Sequence, residues 1–348
     1  MNHLLWLGRV CTGLVLGLSL GMGTAHSGCL QGPLKGVNLA GAEFGTKKLP
    51  GVLGTDYAYP SRDDLAYFRA SGMNVIRLPV RWERVQRVLH GPLDAAEVAQ
   101  IKRVMAWARA LGLCVVLDLH NYATYASQPI GSSAVSAQAF EDVWLRLAAA
   151  FADADTTALG LMNEPAAMPV PAWLALAQST VLALRSAGAP HLLLLGSGRW
   201  SGAHEFEKLF DGISSAQAFA RFTDPLNRYA VELHQYADAN FSGTSADCIP
   251  PQRLVTTMQA LERWSRSSGV RLFMGEFGVG SSEACLADLR ALLGPMQDAR
   301  IWLGWTYWAA GARWGKYPFS IHPAQGAAEA AQLGVLRQFL PPTPSEAK

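Results

Sequence analysis

From Lys35 onward the chain alternates between short apolar runs and longer stretches of helical period, with no low-complexity linker between them. The runs are Gly36–Leu39, Asn74–Leu78, Leu113–Leu119, Leu159–Met162, Leu192–Leu195, Tyr229–Leu233, Arg271–Met274 and Ile301–Tyr307. Runs this short and this apolar predict buried strands. The intervening segments carry helix signals of their own. Ser61 with Asp64 forms a near capping box ahead of Leu65 and Phe68, with a stop at Gly72. Asp94 and Glu97 open a second helix whose face is Val98, Ile101, Met105, Ala108 and Leu111, ending at Gly112. Comparable stripes follow at Phe140–Phe151, Trp173–Leu184, Leu254–Trp264 and Leu333–Phe339, and their spacing predicts core packing. Eight strands alternating with helices predict a single (β/α)8 TIM barrel, whose usual size is about 250 residues plus insertions. The competing architecture is a doubly wound open sheet. It is disfavoured because Gly36–Val37–Asn38–Leu39–Ala40–Gly41 lacks the spacing of a phosphate-binding loop after the first strand.

Met1–Ala25 precedes this pattern. Its only formal charge is Arg9, its apolar centre runs from Leu14 to Met22, and it ends in small residues at Gly23 and Ala25. These features predict a secretory signal peptide too short to span a bilayer, and leave 26–348 as one catalytic domain in a secreted or periplasmic protein. The chain has 29 Lys and Arg against 27 Asp and Glu, and one of those cations lies in the leader, so the balance gives no support for nucleic-acid or anionic-membrane binding. No other apolar run approaches membrane length, and 50% hydrophobic residues suffice for a large core. Four cysteines follow the leader: Cys29, Cys114, Cys248 and Cys285. An exported chain permits disulfides, but the sequence alone does not choose among the three pairings or establish that any pair forms. Cys114, inside the apolar run Leu113–Leu119, is expected as a buried free thiol, and Cys248 and Cys285, in polar loop-like sequence, are expected to pair. Ser27–Gly28–Cys29 faintly resembles a lipidation box, but His26 stands where an aliphatic residue is expected, which argues against an anchor.

In a barrel the chemistry gathers at the C-terminal ends of the strands. Two glutamates stand at such ends: Glu164 in Leu159–Gly160–Leu161–Met162–Asn163–Glu164–Pro165, and Glu276 in Phe273–Met274–Gly275–Glu276–Phe277–Gly278. Arg77, inside Ile76–Arg77–Leu78–Pro79, is too costly to bury unpaired and implies a buried anion. The third run ends in Asp118–Leu119–His120–Asn121–Tyr122, the sixth leads into His234–Gln235–Tyr236, and the eighth closes on Trp305–Thr306–Tyr307–Trp308. Singly, each has a structural explanation, whether an ion pair, a satisfied core imidazole or a packing indole. Together they place a chemically capable group at six strand ends.

On these residues the chain resembles glycoside hydrolase family 5, and within it the fungal and bacterial endo-β-1,4-glucanases, from Gly36–Val37–Asn38–Leu39–Ala40–Gly41 to Trp308. The resemblance carries the family's functional set onto Arg77, His120, Asn163, Glu164, His234, Tyr236, Glu276 and Trp308. It implies a retaining hydrolase in which Glu164 is the general acid and base and Glu276 the nucleophile. Arg77 and Tyr236 would then hold Glu276, and His234 would support Glu164 or the sugar. Asn163 would bind the sugar 2-hydroxyl, and His120 and Asn121 would line the reacting subsite. Trp308 would be its floor, and Trp200, with Tyr122 or Trp314, would supply further platforms. It also supports the Cys248–Cys285 pairing through the stretch His234–Cys248. Met274–Gly275–Glu276–Phe277–Gly278 departs from the Thr-Glu-Thr-Gly associated with fungal members, which bears on specificity more than on chemistry.

The expected partner is a β-glucan, the protein is expected as a monomer, and no cofactor or metal is expected, since there is no His-Glu-x-x-His and the cysteines lack zinc spacing. Gly196–Ser197–Gly198 lacks the elbow of a serine hydrolase. A β-mannanase, or an enzyme cutting β-1,3 or mixed-linked glucan, would keep the same carboxylates and differ in loops near Trp200, Phe241 and Arg313. A non-catalytic carbohydrate-binding barrel would need the aromatics but no acid and nucleophile.

Overall fold

A computed structural model describes residues 28–323, 326 and 328–341; the expected leader lies outside the described residues. Eight parallel strands close into a barrel: β1 (Leu34–Leu39), β2 (Val75–Val80), β3 (Cys114–Leu119), β4 (Thr157–Gly160), β5 (Leu193–Gly196), β6 (Tyr229–Tyr236), β7 (Leu272–Gly278) and β8 (Trp302–Ala310). Neighbours in space are neighbours in sequence, and β8 returns to β1 with Gly36 opposite Thr306. Helices α1 (Arg62–Ala70), α2 (Ala95–Leu111), α3 (Ala137–Ala150), α4 (Val170–Ser186), α5 (Ser215–Phe219), α6 (Pro251–Ser268), α7 (Glu283–Leu293) and α8 (Ala331–Arg337) surround it.

Every predicted strand is present, with shifted ends. β4 stops at Gly160; the Leu161 amide still donates to the Leu194 carbonyl at 3.0 Å, and Leu161 and Met162 carry the chain toward Asn163 and Glu164. By contrast β6, β7 and β8 continue to Tyr236, Gly278 and Ala310, so their functional residues sit within strands. The helix signals are realised as geometry. Ser61 and Asp64 complete both bonds of a capping box, Asp94 accepts from the Ala96 and Glu97 amides, and Gly112 takes the left-handed C-cap at φ 65°. The short α5 and a two-residue ribbon pairing Thr124–Tyr125 with Gln128–Pro129 were not anticipated.

The apolar side chains divide into two clusters. The larger lies between strands and helices. The smaller, including Leu34, Val75, Val116, Ala158, Leu194, Ala230 and Phe273, fills the lower barrel interior together with Cys29 and Cys114. Those two cysteines form a disulfide, Cα to Cα 4.9 Å, and the Cys29 amide donates to the Asp155 carbonyl at 2.7 Å. This corrects the expectation of a free Cys114 thiol. The burial was right, but the partner arrives from 85 residues away as a plug under the barrel, and the same bond leaves Cys29 no thiol for a lipid. Cys248 and Cys285 pair as expected, tying the loop after β6 to the first turn of α7. No described helix is long and apolar enough to cross a membrane.

Candidate active site

Arg77 points inward from β2 and is fully buried. Its Nη1 donates to Asn38 Oδ1 and to Glu276 Oε1, both at 2.9 Å. Its Nη2 donates to Asn163 Oδ1 at 2.8 Å and lies 2.9 Å from Glu232 Oε1 and 3.2 Å from Asp118 Oδ2. Burial works against the guanidinium charge, but Asp118, Glu232 and Glu276 outweigh it and raise its pKa above the ordinary value. One rigid fork of donors therefore fixes side chains from five parts of the barrel wall.

Glu276 hangs from β7 with Oε1 on Arg77 and Oε2 accepting from the Tyr236 hydroxyl at 2.6 Å. Glu164 faces it from the loop after β4, held at φ 41°, a left-handed conformation that a residue with a side chain adopts only where its surroundings impose it. Those surroundings are the Asn163 amide, donating to the Leu119 carbonyl at 3.0 Å, and the Asn163 carbonyl, accepting from the Tyr122 amide at 3.1 Å. His234 Nδ1 lies 2.8 Å from Glu164 Oε1 and 3.6 Å from Glu276 Oε2. A carboxylate oxygen from each glutamate and a His234 nitrogen all lie within 4.8 Å of one another.

Burial raises the Glu164 pKa, and the neighbouring Glu276 adds to the rise while His234 opposes it. Burial also opposes a charged His234, yet Glu276, Glu164 and Glu232 push its pKa up to about 10. The two other acids beside Arg77 diverge. Burial and Glu232 raise Asp118 to about 7 against the pull of Arg77, whereas at Glu232 the cations Arg77 and His234 outweigh burial and hold the carboxyl below its ordinary value. His120, lowered to about 3 chiefly by burial, is a neutral imidazole 2.7 Å from Asp118 Oδ2.

Above this floor the strand-end loops form two hollows. One, about 640 Å³, is lined by Glu164, His234 and Tyr236 and walled by Trp200 and Phe241; Trp200 is 54% exposed. The other, about 560 Å³, is lined by Trp308, His120, Glu43, Arg81 and Trp314. Tyr122 borders both. His120 stacks on Trp308 at 5.6 Å and 14° between planes. Glu43 is nearly buried, its Oε2 accepting from the Gly41 amide at 2.7 Å, and burial pushes its pKa up to about 8.

Of the residues predicted from sequence, Arg77, Asn163, Glu164, His234, Tyr236 and Glu276 meet in one network, with His120 and Trp308 on one flank and Trp200 on the other. Asn121 does not line the cleft. Fully buried, it accepts from the Trp82 amide at 2.8 Å and donates to Glu83 at 2.9 Å and the Thr124 carbonyl at 3.0 Å, so its amide pins loops beneath the surface. Sequence reasoning passed over Asn38, Glu43 and Glu232. Glu232 had a usable signal, a charge inside the apolar run Tyr229–Leu233, the same signal that singled out Arg77.

The family model for cellulase, glycosyl hydrolase family 5, matches residues 37–313. The chain belongs to this family. An endo-beta-1,4-glucanase A of Emericella nidulans is 32% identical over 309 residues, which is 87% of this chain and 91% of the relative. Among solved structures, an endo-beta-1,4-glucanase of Xanthomonas axonopodis pv. citri superposes with a TM-score of 0.85 at 42% identity, covering 88% of this chain and 98% of that one. XacCel5A, solved in complex with cellopentaose, gives a TM-score of 0.86 at 41% identity and covers 88% of this chain and 99% of that one.

Proposed function

We propose that the protein is an endo-acting, retaining β-1,4-glucanase that cuts internal bonds of cellulose-like glucans. The observation that carries this reading is the Glu164–Glu276 pair. Retaining glycosidases set their carboxyls about 5–5.5 Å apart, whereas inverting ones leave about 6.5–9.5 Å for a water. One carboxylate oxygen of Glu164 lies within 4.8 Å of one of Glu276, a closeness in keeping with the retaining geometry.

Glu276, as the carboxylate held by Arg77 and Tyr236, attacks the anomeric carbon while Glu164 gives its proton to the departing glycosidic oxygen. A glycosyl ester on Glu276 results, and the aglycone leaves with a free hydroxyl. Glu164, now a carboxylate, removes a proton from water. The hydroxide oxygen bonds to the anomeric carbon, Glu276 departs, and both carboxyls return to their starting states. Burial suits Glu164 to the first step by keeping it protonated above the usual carboxyl range. Asn163 Nδ2 is buried without a partner while its Oδ1 is fixed by Arg77, which suits it to donate to the sugar 2-hydroxyl. Trp308 offers a flat apolar face to the reacting sugar, and Trp200 offers another beyond the scissile bond. The names of the relatives support glucan as substrate. Disulfides and the expected leader support an exported protein.

The test is reducing-end release on carboxymethylcellulose, mixed-linked β-glucan, β-mannan and β-1,3-glucan, with Glu276→Ala as blank. Activity led by the first two and absent from the variant is expected. Activity led by mannan or β-1,3-glucan would move the substrate, and silence on all four would overturn the hydrolase reading.

A further inference from the structure

Glu232 has no part in the mechanism above, yet it occupies the centre of the charged layer. It points inward from β6, 1% exposed, with Oε1 2.9 Å from Arg77 Nη2 and 3.4 Å from His234 Nε2. The opposite ring nitrogen of His234 is the one that meets Glu164. With the Glu164 proton on Oε2, as the mechanism needs, Glu164 Oε1 and Glu232 Oε1 are both acceptors, and the imidazole between them satisfies both only when both of its nitrogens carry protons. The volume for Glu232 is reserved by the neighbouring strand. A Cβ added at Gly275 would overlap Glu232 Oε1 and fall 2.6 Å from its Cγ, so the residue preceding Glu276 lacks a side chain where Glu232 needs the space.

We propose that Glu232 is a positioning residue for acid and base catalysis: ionised between Arg77 and His234, it keeps His234 doubly protonated and oriented, so that Nδ1–H occupies Glu164 Oε1 and leaves Oε2 to give and take the proton. The inference rests on the assignment of Glu164 above. Proton balance is simple. His234 and Glu232 keep their charges through both steps, and the transferred proton moves only between Glu164 Oε2 and the substrate oxygen or water. The ionisable groups facing this pair are Arg77 from β2, Asp118 and His120 on and after β3, Glu164 after β4 and Glu276 from β7. Of these, Glu276 and Glu164 join Glu232 in favouring the imidazolium, and the resulting pKa of about 10 agrees with the geometry.

The experiment is imidazole 15N NMR across pH on the wild-type protein and on Glu232→Gln, read beside the pH profiles of kcat and kcat/KM. In the wild type both His234 nitrogens are expected to stay protonated through neutral pH. In Glu232→Gln the second proton should be lost at lower pH, toward the ordinary histidine value of about 6.5. Its kcat should fall on the order of ten- to a hundred-fold with little change in KM. Gly275→Ala leaves every titratable group in the chain and should shift His234 in the same direction by displacing Glu232. A wild-type His234 singly protonated at pH 7 overturns the proposal whether or not the variants fold. So does an active Glu232→Gln protein with an unshifted His234 and an unchanged pH profile. A wild type inert on every β-glucan would overturn the hydrolase reading instead, and this one with it.

Discussion

The lower and upper halves of the barrel interior are built from the same strands with the same inward alternation, yet they are opposites. Val75 and Arg77 are consecutive inward positions of β2, Val116 and Asp118 of β3, and Ala230 and Glu232 of β6, so a step of two residues, about 6.6 Å, separates apolar packing from a cluster of charges. The paired positions are equally buried, Arg77, Asp118 and Glu232 as much as Val75, Val116 and Ala230. What differs is the supply of partners: among the described residues the cluster filling the lower half is apolar throughout, while in the upper half Arg77 meets three carboxylates and His234 stands between Glu232 and Glu164. Burial does not decide polarity here; the completeness of pairing does.

The comparison breaks if the halves fail to separate stability from turnover. Glu276→Ala, in the upper half, should lower kcat by at least about 10⁴-fold while circular dichroism and melting temperature stay close to wild type. Appreciable residual turnover would remove the nucleophile assignment. The double variant Cys29→Ser/Cys114→Ser should do the reverse, leaving kcat unchanged at low temperature. It releases a loop of 85 residues in the unfolded chain and should cost about 4–5 kcal/mol in denaturant unfolding. Unaltered stability would mean that the plug only fills space. Arg77→Met lies at the boundary and should fail on both counts, losing activity and about 3–5 kcal/mol because buried carboxylates are left facing one another. A stable but inactive Arg77→Met would place the boundary higher than drawn.

The smallest effect concerns Glu43, whose folded-state pKa is raised to about 8 by burial. The folded protein holds a proton there that the unfolded chain releases near the ordinary value of 4.5, so this group's contribution to stability falls as pH rises between those two values. Glu43→Gln should therefore flatten the decline in melting temperature between about pH 5 and pH 8. An unchanged slope would assign the decline to Asp118, which is raised to about 7.

Much of this arrangement was legible because a strand buried on both faces writes itself as an uninterrupted apolar run, and a charge that ends or interrupts it stands out. Glu164, Glu276 and Arg77 were found that way. Glu232 carried the same mark and was passed over, because its partners Arg77 and His234 are brought against it only by the fold. Asn121 shows the converse. Its polar neighbours in sequence suggest a cleft residue, but side-chain direction after the end of a strand is set by the turn, and this turn aims it at Trp82 and Thr124. Cys114 was read from its local surroundings alone, which reveal burial and say nothing of a partner that closes in from beneath.

The two hollows that meet at Tyr122 have a consequence for a solution of polymer. An endo-acting hydrolase whose substrate lies across both takes a glucan anywhere along its length. Each cut then falls near the middle of a molecule as readily as near its tip. A viscous solution should thin early, while the tally of new reducing ends is still small, and the ratio of those two readings is a fingerprint of attack within the chain.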